Sequence, residues 1–251
     1  MTWHDLLPLA VFGATFLASV FSGMAGGGGG FIMTPFYILI GLTPQQTVAT
    51  GKFASFGLSA GAVMAFKKRM LANRNLSILV IILASVIGLI SSFLVQNINN
   101  SSLQLLMGIV TLATIPFVLV KGRGLKESKP SLELQAVGFV ALTGILLLQG
   151  IMGGGIGSLV SVIFILLFGT TALEANAMKR KASIVLNIVI VISLLRSGLI
   201  NYSYGLVGMA GGLAGGWLGS HIAIAKGESF ARYALMIFMG VAGVWLILTA
   251  K

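Results

Sequence analysis

The chain has 251 residues, 57% of them hydrophobic and 8% charged, with 16 Lys and Arg against 5 Asp and Glu and a mean hydropathy of +1.04. A soluble globular domain carries roughly 25% charged residues, so this chain has too few polar side chains to cover a water-facing surface and is expected to work inside a lipid bilayer. It has no cysteine, which excludes disulfides, thiolate nucleophiles and thiolate metal sites.

The uncharged runs 6–51, 75–120 and 134–173 are each long enough for two helical crossings of roughly 20 apolar residues. Backbone groups in lipid must bond within a helix or a closed barrel. The ten-residue alternation of a barrel is absent, so the expected fold class is all-α. It is a polytopic helix bundle, multi-pass in the cell inner membrane. The first apolar stretch, Leu6 to Phe21, follows Asp5 without a Lys or Arg and reads as a retained helix, not a cleaved signal peptide.

In chain order, breaks at charge, Gly, Pro and Asn clusters predict helices over 5–23, 29–41, 45–66, 76–96 and 102–120, then 133–151, 156–169, 173–195, 203–224 and 230–249. Between the first and second lies the run Gly26 to Gly30, followed by Pro35. The second and seventh helices, at about 13 residues, are too short for an easy crossing and read as re-entrant or half-length segments. The third carries Lys52, Ser55 and Ser59 at i, i+3 and i+7, one helical face. The sixth ends at GGGIG, Gly153 to Gly157, and the eighth repeats the polar face as Arg180, Ser183 and Asn187.

The halves on either side of the polar segment Lys121 to Glu133 read as copies, residues 1–121 and 133–251, joined by a cytoplasmic linker over 122–132. Placing Gly23–Gly30 over Gly150–Gly157, and continuing with one extra residue, sets Lys52 over Arg180, Ser55 over Ser183, Gly88 over Gly216 and Ser92 over Ser220. An odd number of crossings per copy would invert the second relative to the first, as in many secondary transporters. Lys67, Lys68, Arg69 and Arg74 precede the fourth helix, and Lys121, Arg123, Lys126 and Lys129 follow the fifth. One return trip separates the two clusters, so the positive-inside rule places both in the cytoplasm and both termini outside.

Five consecutive glycines break a helix and bare backbone amides. A helix starting near Phe31 or Ser158 would aim its free N–H groups and positive dipole end back at the glycines, where an anion is the natural ligand. Gly27, Gly28, Gly29 and Gly30, with Gly154 and Gly155 of the echo, are therefore candidate binding residues. The alternative is close helix packing, which suits Gly211, Gly212, Gly215, Gly216 and Gly219 at their one-turn spacing. Neither run fits GxxxxGK[ST], so a phosphate loop is rejected. Cations inside a membrane are costly and mark pathways or sites. Lys52 and Arg180, on matching faces, would meet at one cavity with Ser55, Ser59, Ser183 and Asn187. Lys179 and Lys181 are expected to snorkel to the headgroups.

Glu174 reads as a helix-start carboxylate, with acceptance of a coupling proton the other reading. His4 and His221 are too isolated for a metal site, and no cofactor is expected. The basic residues are split among short loops, which argues against a nucleic-acid partner.

At these residues the sequence resembles the sulfite exporter TauE/SafE family of bacterial inner-membrane transporters. The resemblance rests on GGGGGFIMTPFYILIGLTPQQTVATGKFAS at Gly26 to Ser55, with GGGIG and AMKRKASIVLN (Ala177 to Asn187) as the matching repeat. It implies transport of small anions such as sulfite, sulfonates, sulfoacetate or related organosulfur and carboxylate compounds, often outward. The second copy departs from the pattern, lacking a counterpart of Pro35 and carrying Met178 for Thr50.

The expected function is alternating-access transport of a small anion, with coupling to protons or sodium open. A passive anion channel would share the same residues. An intramembrane enzyme lacks an acid, base and nucleophile constellation. Oligomeric state cannot be read from the sequence.

Overall fold

A computed structural model describes residues 3–25, 27–66, 74–120, 130–152, 156–226 and 229–250. Among these residues there are ten α-helices and no strand. They are α1 (Trp3–Ala25), α2 (Gly29–Leu39), α3 (Pro44–Phe66), α4 (Arg74–Asn97), α5 (Asn100–Val120), α6 (Leu132–Ile151), α7 (Gly157–Phe168), α8 (Ala172–Leu194), α9 (Tyr202–Lys226) and α10 (Ser229–Thr249). Every sequence-derived boundary lies within two residues of the observed one. One such shift is at the end of α2, which stops at Leu39 because Gly41 turns the chain at φ +96°.

Among the described residues, three helices are long and apolar enough to cross a membrane, Leu6–Ala25, Asn75–Asn97 and Leu132–Ile151. With 11 and 12 residues, α2 and α7 are about 17 Å long, roughly half the hydrocarbon core. α4 turns Ile78, Leu79, Ile82, Val86, Leu89 and Phe93 outward, and α10 exposes Ile237, Val241 and Leu248. Such a periphery is costly in water and suited to lipid.

α9 is the axis of one packed unit. Gly211, Gly215 and Gly219 lie against the backbone of Phe12, Phe16 and Val20 on α1, while Gly212 and Gly216 lie against Ala54 and Leu58 on α3. In both seams the contacts rise together along the chain, so α1, α3 and α9 run parallel. The packing role expected of these glycines is what the structure shows: a Cβ on Gly215 would stand 2.3 Å from the Phe16 carbonyl oxygen.

α4 packs on α8 and α6 in the same way that α9 packs on α3 and α1. The parallel extends to single residues. Gly216 meets the Leu58 carbonyl and Gly88 the Leu186 carbonyl; Gly23 meets Gly219 and Ser220, and Gly150 meets Ser91. α5 and α10 pair with each other, and Gln104 Nε2 on α5 bonds Thr249 Oγ1 at 2.8 Å and the Leu246 carbonyl at 3.2 Å.

Hydrogen bonds fix the connections around the centre. Gln45 Nε2 donates to the carbonyls of Val95 and Ile98 at 3.0 and 2.8 Å, holding the start of α3 to the α4–α5 turn. Thr50 Oγ1 accepts from the Asn201 amide at 3.0 Å and pins the α8–α9 connection to α3. Met178, the residue at the equivalent place in the second copy, is buried in an apolar cluster instead.

Candidate functional site

The chain between α1 and α2 turns through Gly27 (φ +147°) and Gly28 (φ +106°), backbone conformations open to glycine and strained for other residues. α2 starts at Gly29, at the boundary the sequence breaks predict and two residues before the Phe31 start considered for the anion-binding turn. Gly29 is helical and packs under α1, where a Cβ would stand 2.8 Å from the Ala18 carbonyl oxygen. Part of the glycine run therefore serves helix contact and part opens the backbone.

The start of α7 lies directly across from this turn. A Cβ on Gly27 would stand 3.0 Å from the Ser158 backbone nitrogen and 3.4 Å from the Gly157 carbonyl carbon. The N-termini of two half-length helices thus converge on one point. Neither receives a side-chain cap: Gly28 at α2 and Ile156 at α7 make none. α6 and α8 begin differently. Ser131 Oγ accepts from the Leu134 amide at 3.3 Å, and Thr171 and Glu174 form a reciprocal capping box. The Phe31 and Leu159 amides bond back to the Gly28 and Ile156 carbonyls at 3.0 and 2.9 Å, while the amides before them in the first turn have no intrahelical acceptor, so these helices offer those donors and their positive dipole ends to whatever occupies the space between them.

That space is a cavity of about 80 Å³. A water needs roughly 10–15 Å³ by this measure, so there is room for one small anion or several waters. Gly27, Gly28, Gly29 and Gly30 line it together with Lys52, Ser55 and Ser59 of α3 and Arg180, Ser183 and Asn187 of α8. Ten of the sequence-derived site residues therefore face one cavity; Gly154 and Gly155 lie outside the described residues.

Lys52 is 1% and Arg180 9% exposed. The Lys52 ammonium donates to the backbone carbonyl of Gln149 at the end of α6, and Gln149 Nε2 donates to Ser183 Oγ at 2.9 Å. Gln149 thereby ties α3, α6 and α8 together at the cavity wall. Among the described residues, no Asp or Glu lines the cavity. Glu174 sits instead in the α8 cap, its Oε2 accepting from the Thr171 amide at 2.9 Å and hydroxyl at 3.0 Å. The helix-start reading of Glu174 is the one its bonds support.

The chain matches the sulfite exporter TauE/SafE family over residues 11–246. It belongs to that family. It is also similar to three proteins called probable membrane transporters, one from Haemophilus influenzae (28% identical, 95% of this chain and 94% of that protein). The others are YfcA of Escherichia coli K12 (24%, 96% and 90%) and ORF9 of a Sinorhizobium species (26%, 90% and 87%). No solved structure matches. The protein is a membrane protein of a transporter family.

In this TauE/SafE protein the sequence reading missed part of the cavity wall. Lys179, expected to snorkel, is 5% exposed and lines the cavity, where α7 packs on α8 beside it. Gln149 and Ser22 also line it, each 6% exposed. These two fall opposite each other when Gly23 is set over Gly150, so the repeat alignment held the signal; uncharged residues did not draw attention by themselves.

Proposed function

We propose that the protein is a secondary transporter of small anions, with sulfite, sulfonates or related organosulfur compounds as its substrates and short carboxylates as the other chemical class the site suits. The observation that carries this reading is the cavity itself, where two helix N-termini without side-chain caps and the buried cations Lys52 and Arg180 converge. Interior charges cost roughly 2.5–3.5 kcal/mol each on insertion scales, and a bound anion offsets that cost with charge-assisted hydrogen bonds from Lys52, Arg180 and the backbone amides.

The same reading makes the two halves, 1–121 and 133–251, inverted repeats of one transport unit that spans the inner membrane several times. The matched contacts of Gly88 and Gly216 and the parallel course of α1, α3 and α9 support it. Alternating access would rock one repeat group against the other about the cavity.

Flux into proteoliposomes tests the reading. Saturable uptake of sulfite or a sulfonate that responds to a proton or sodium gradient is the expected result. Lys52→Met and Arg180→Met should weaken anion binding at least about tenfold, the scale of one lost charge-assisted hydrogen bond, while thermal stability is kept or rises. Uncoupled conductance would make the protein a channel, and unchanged affinity in both variants would remove the pair from the site.

A further inference from the structure

Along α3, Gln45, Val48 and Lys52 are spaced i, i+3 and i+7 and share one face. That face leads from the start of the helix to the cavity over about 10 Å, at 1.5 Å per residue. Gln45 joins three helix ends there. Its backbone amide donates to Asn100 Oδ1 at 3.1 Å, and its Nε2 to the carbonyls of Val95 and Ile98 at 3.0 and 2.8 Å. These bonds fasten α3, which packs with α1 and α9, to the end of α4, which packs with α6 and α8. The Asn201 amide on Thr50 Oγ1 adds a second tie at the same end. Next along the face, Val48 is 0% exposed in an apolar cluster with Val95, Leu103 and Ile151 of α4, α5 and α6.

The other end of the bundle is built differently. Asn201 follows α8 and bonds near the start of α3, so α3 starts where α8 ends and the two helix starts lie at opposite ends. With Lys52 set over Arg180, Gln45 falls on Leu173 and Thr50 on Met178, residue types with neither an amide nor a hydroxyl. The cap at the start of α8 is internal, between Thr171 and Glu174. Val48 falls on Asn176, which is only partly buried and belongs to a polar seam. Its Oδ1 accepts from Lys179 Nζ at 2.9 Å and lies 3.5 Å from Ser161 Oγ of α7. Water entering a polar seam exchanges one set of hydrogen bonds for another, whereas parting the cluster around Val48 exposes apolar surface.

We infer that Gln45 is the latch of a gate, with Val48 as its plug, which shuts the cavity toward the start of α3, and that in this conformation the cavity is reached along α7 and α8. Such a gate rests on the transporter reading and adds which of its two routes is closed. With both basic loops in the cytoplasm, the closed route is the outer one.

The test uses the absence of native cysteine. Single cysteines Val48→Cys and Asn176→Cys in detergent-purified full-length protein would be timed for modification by a small water-soluble thiosulfonate, with thermal unfolding as the check on folding. With Gln45 intact, Asn176→Cys is expected to react at least about tenfold faster than Val48→Cys. Adding Gln45→Leu, or Gln45→Glu, which keeps the size and loses the donor, should speed Val48→Cys about tenfold, the scale of one or two hydrogen bonds. Asn176→Cys should then react no faster than before. Gln46→Leu, next in the chain, loses only an acceptor for the Thr43 amide and should leave both rates unchanged. If the Leu variant of Gln45 does not fold, the Glu variant decides.

Val48→Cys reacting as fast as Asn176→Cys with Gln45 intact, or showing the same slow rate in both Gln45 variants, would overturn the inference. Labelling needs no anion, so failure of sulfite to bind the wild type would count against the proposed substrate class alone.

Discussion

Gly27 and Gly41 allow the role of the α1–α2 turn to be separated from its backbone strain. Both have positive φ, +147° and +96°, and an L-residue in such a conformation costs roughly 1–2 kcal/mol. Gly41 has open space around it, whereas a Cβ on Gly27 would stand 3.0 Å from the Ser158 nitrogen at the start of α7. Carbon atoms sit comfortably at about 3.5–4.0 Å, so Gly27→Ala must displace the α7 start by several tenths of an ångström and place a methyl group over its amides.

Gly41→Ala should lower stability by the strain alone, about 1–2 kcal/mol, and leave anion affinity near wild type. Gly27→Ala should show at least that loss together with anion binding weakened about ten- to a hundredfold, the equivalent of one hydrogen bond to a charged ligand. Thermal unfolding and sulfite calorimetry on both purified variants read the two quantities separately. If Gly27→Ala binds as the wild type does, or Gly41→Ala loses affinity equally, the turn is a structural hinge and the amides of α7 are not ligands.

Two further predictions concern packing and orientation. At Gly57 a Cβ would stand 1.9 Å from the Met209 carbonyl oxygen, while Gly144 has nothing within 4 Å; Gly57→Ala should destabilise by about 1–3 kcal/mol in thermal unfolding and Gly144→Ala should be neutral or slightly stabilising. The clusters Lys67 to Arg74 and Lys121 to Lys129 should face the cytoplasm. The chain has no native cysteine, so labelling of single cysteines placed there by an impermeant reagent outside intact cells would show the orientation to be reversed.

The sequence by itself determined the helices, because several boundaries are marked by a residue whose backbone chemistry ends or starts one: Gly41 with its positive φ, the glycines before α2, and Thr171 with Glu174 before α8. It also pointed to Lys52, since a charge deep in an apolar run has few explanations, and to Arg180, which the repeat alignment sets over Lys52. Tertiary structure decided what each glycine does. Gly29 and Gly215 lie against neighbouring backbone and Gly27 stands at the mouth of α7, although all three are the same residue in glycine-rich stretches. It also decided the fate of Lys179. Residues 179 and 181 flank Arg180 and look alike in sequence, but Lys179 is buried and lines the cavity, while Lys181 is only half-buried and does not line it. A helix presents adjacent residues about 100° apart, so which of them meets a cavity depends on the neighbours that pack around it, and those neighbours are set by contacts far apart in the chain.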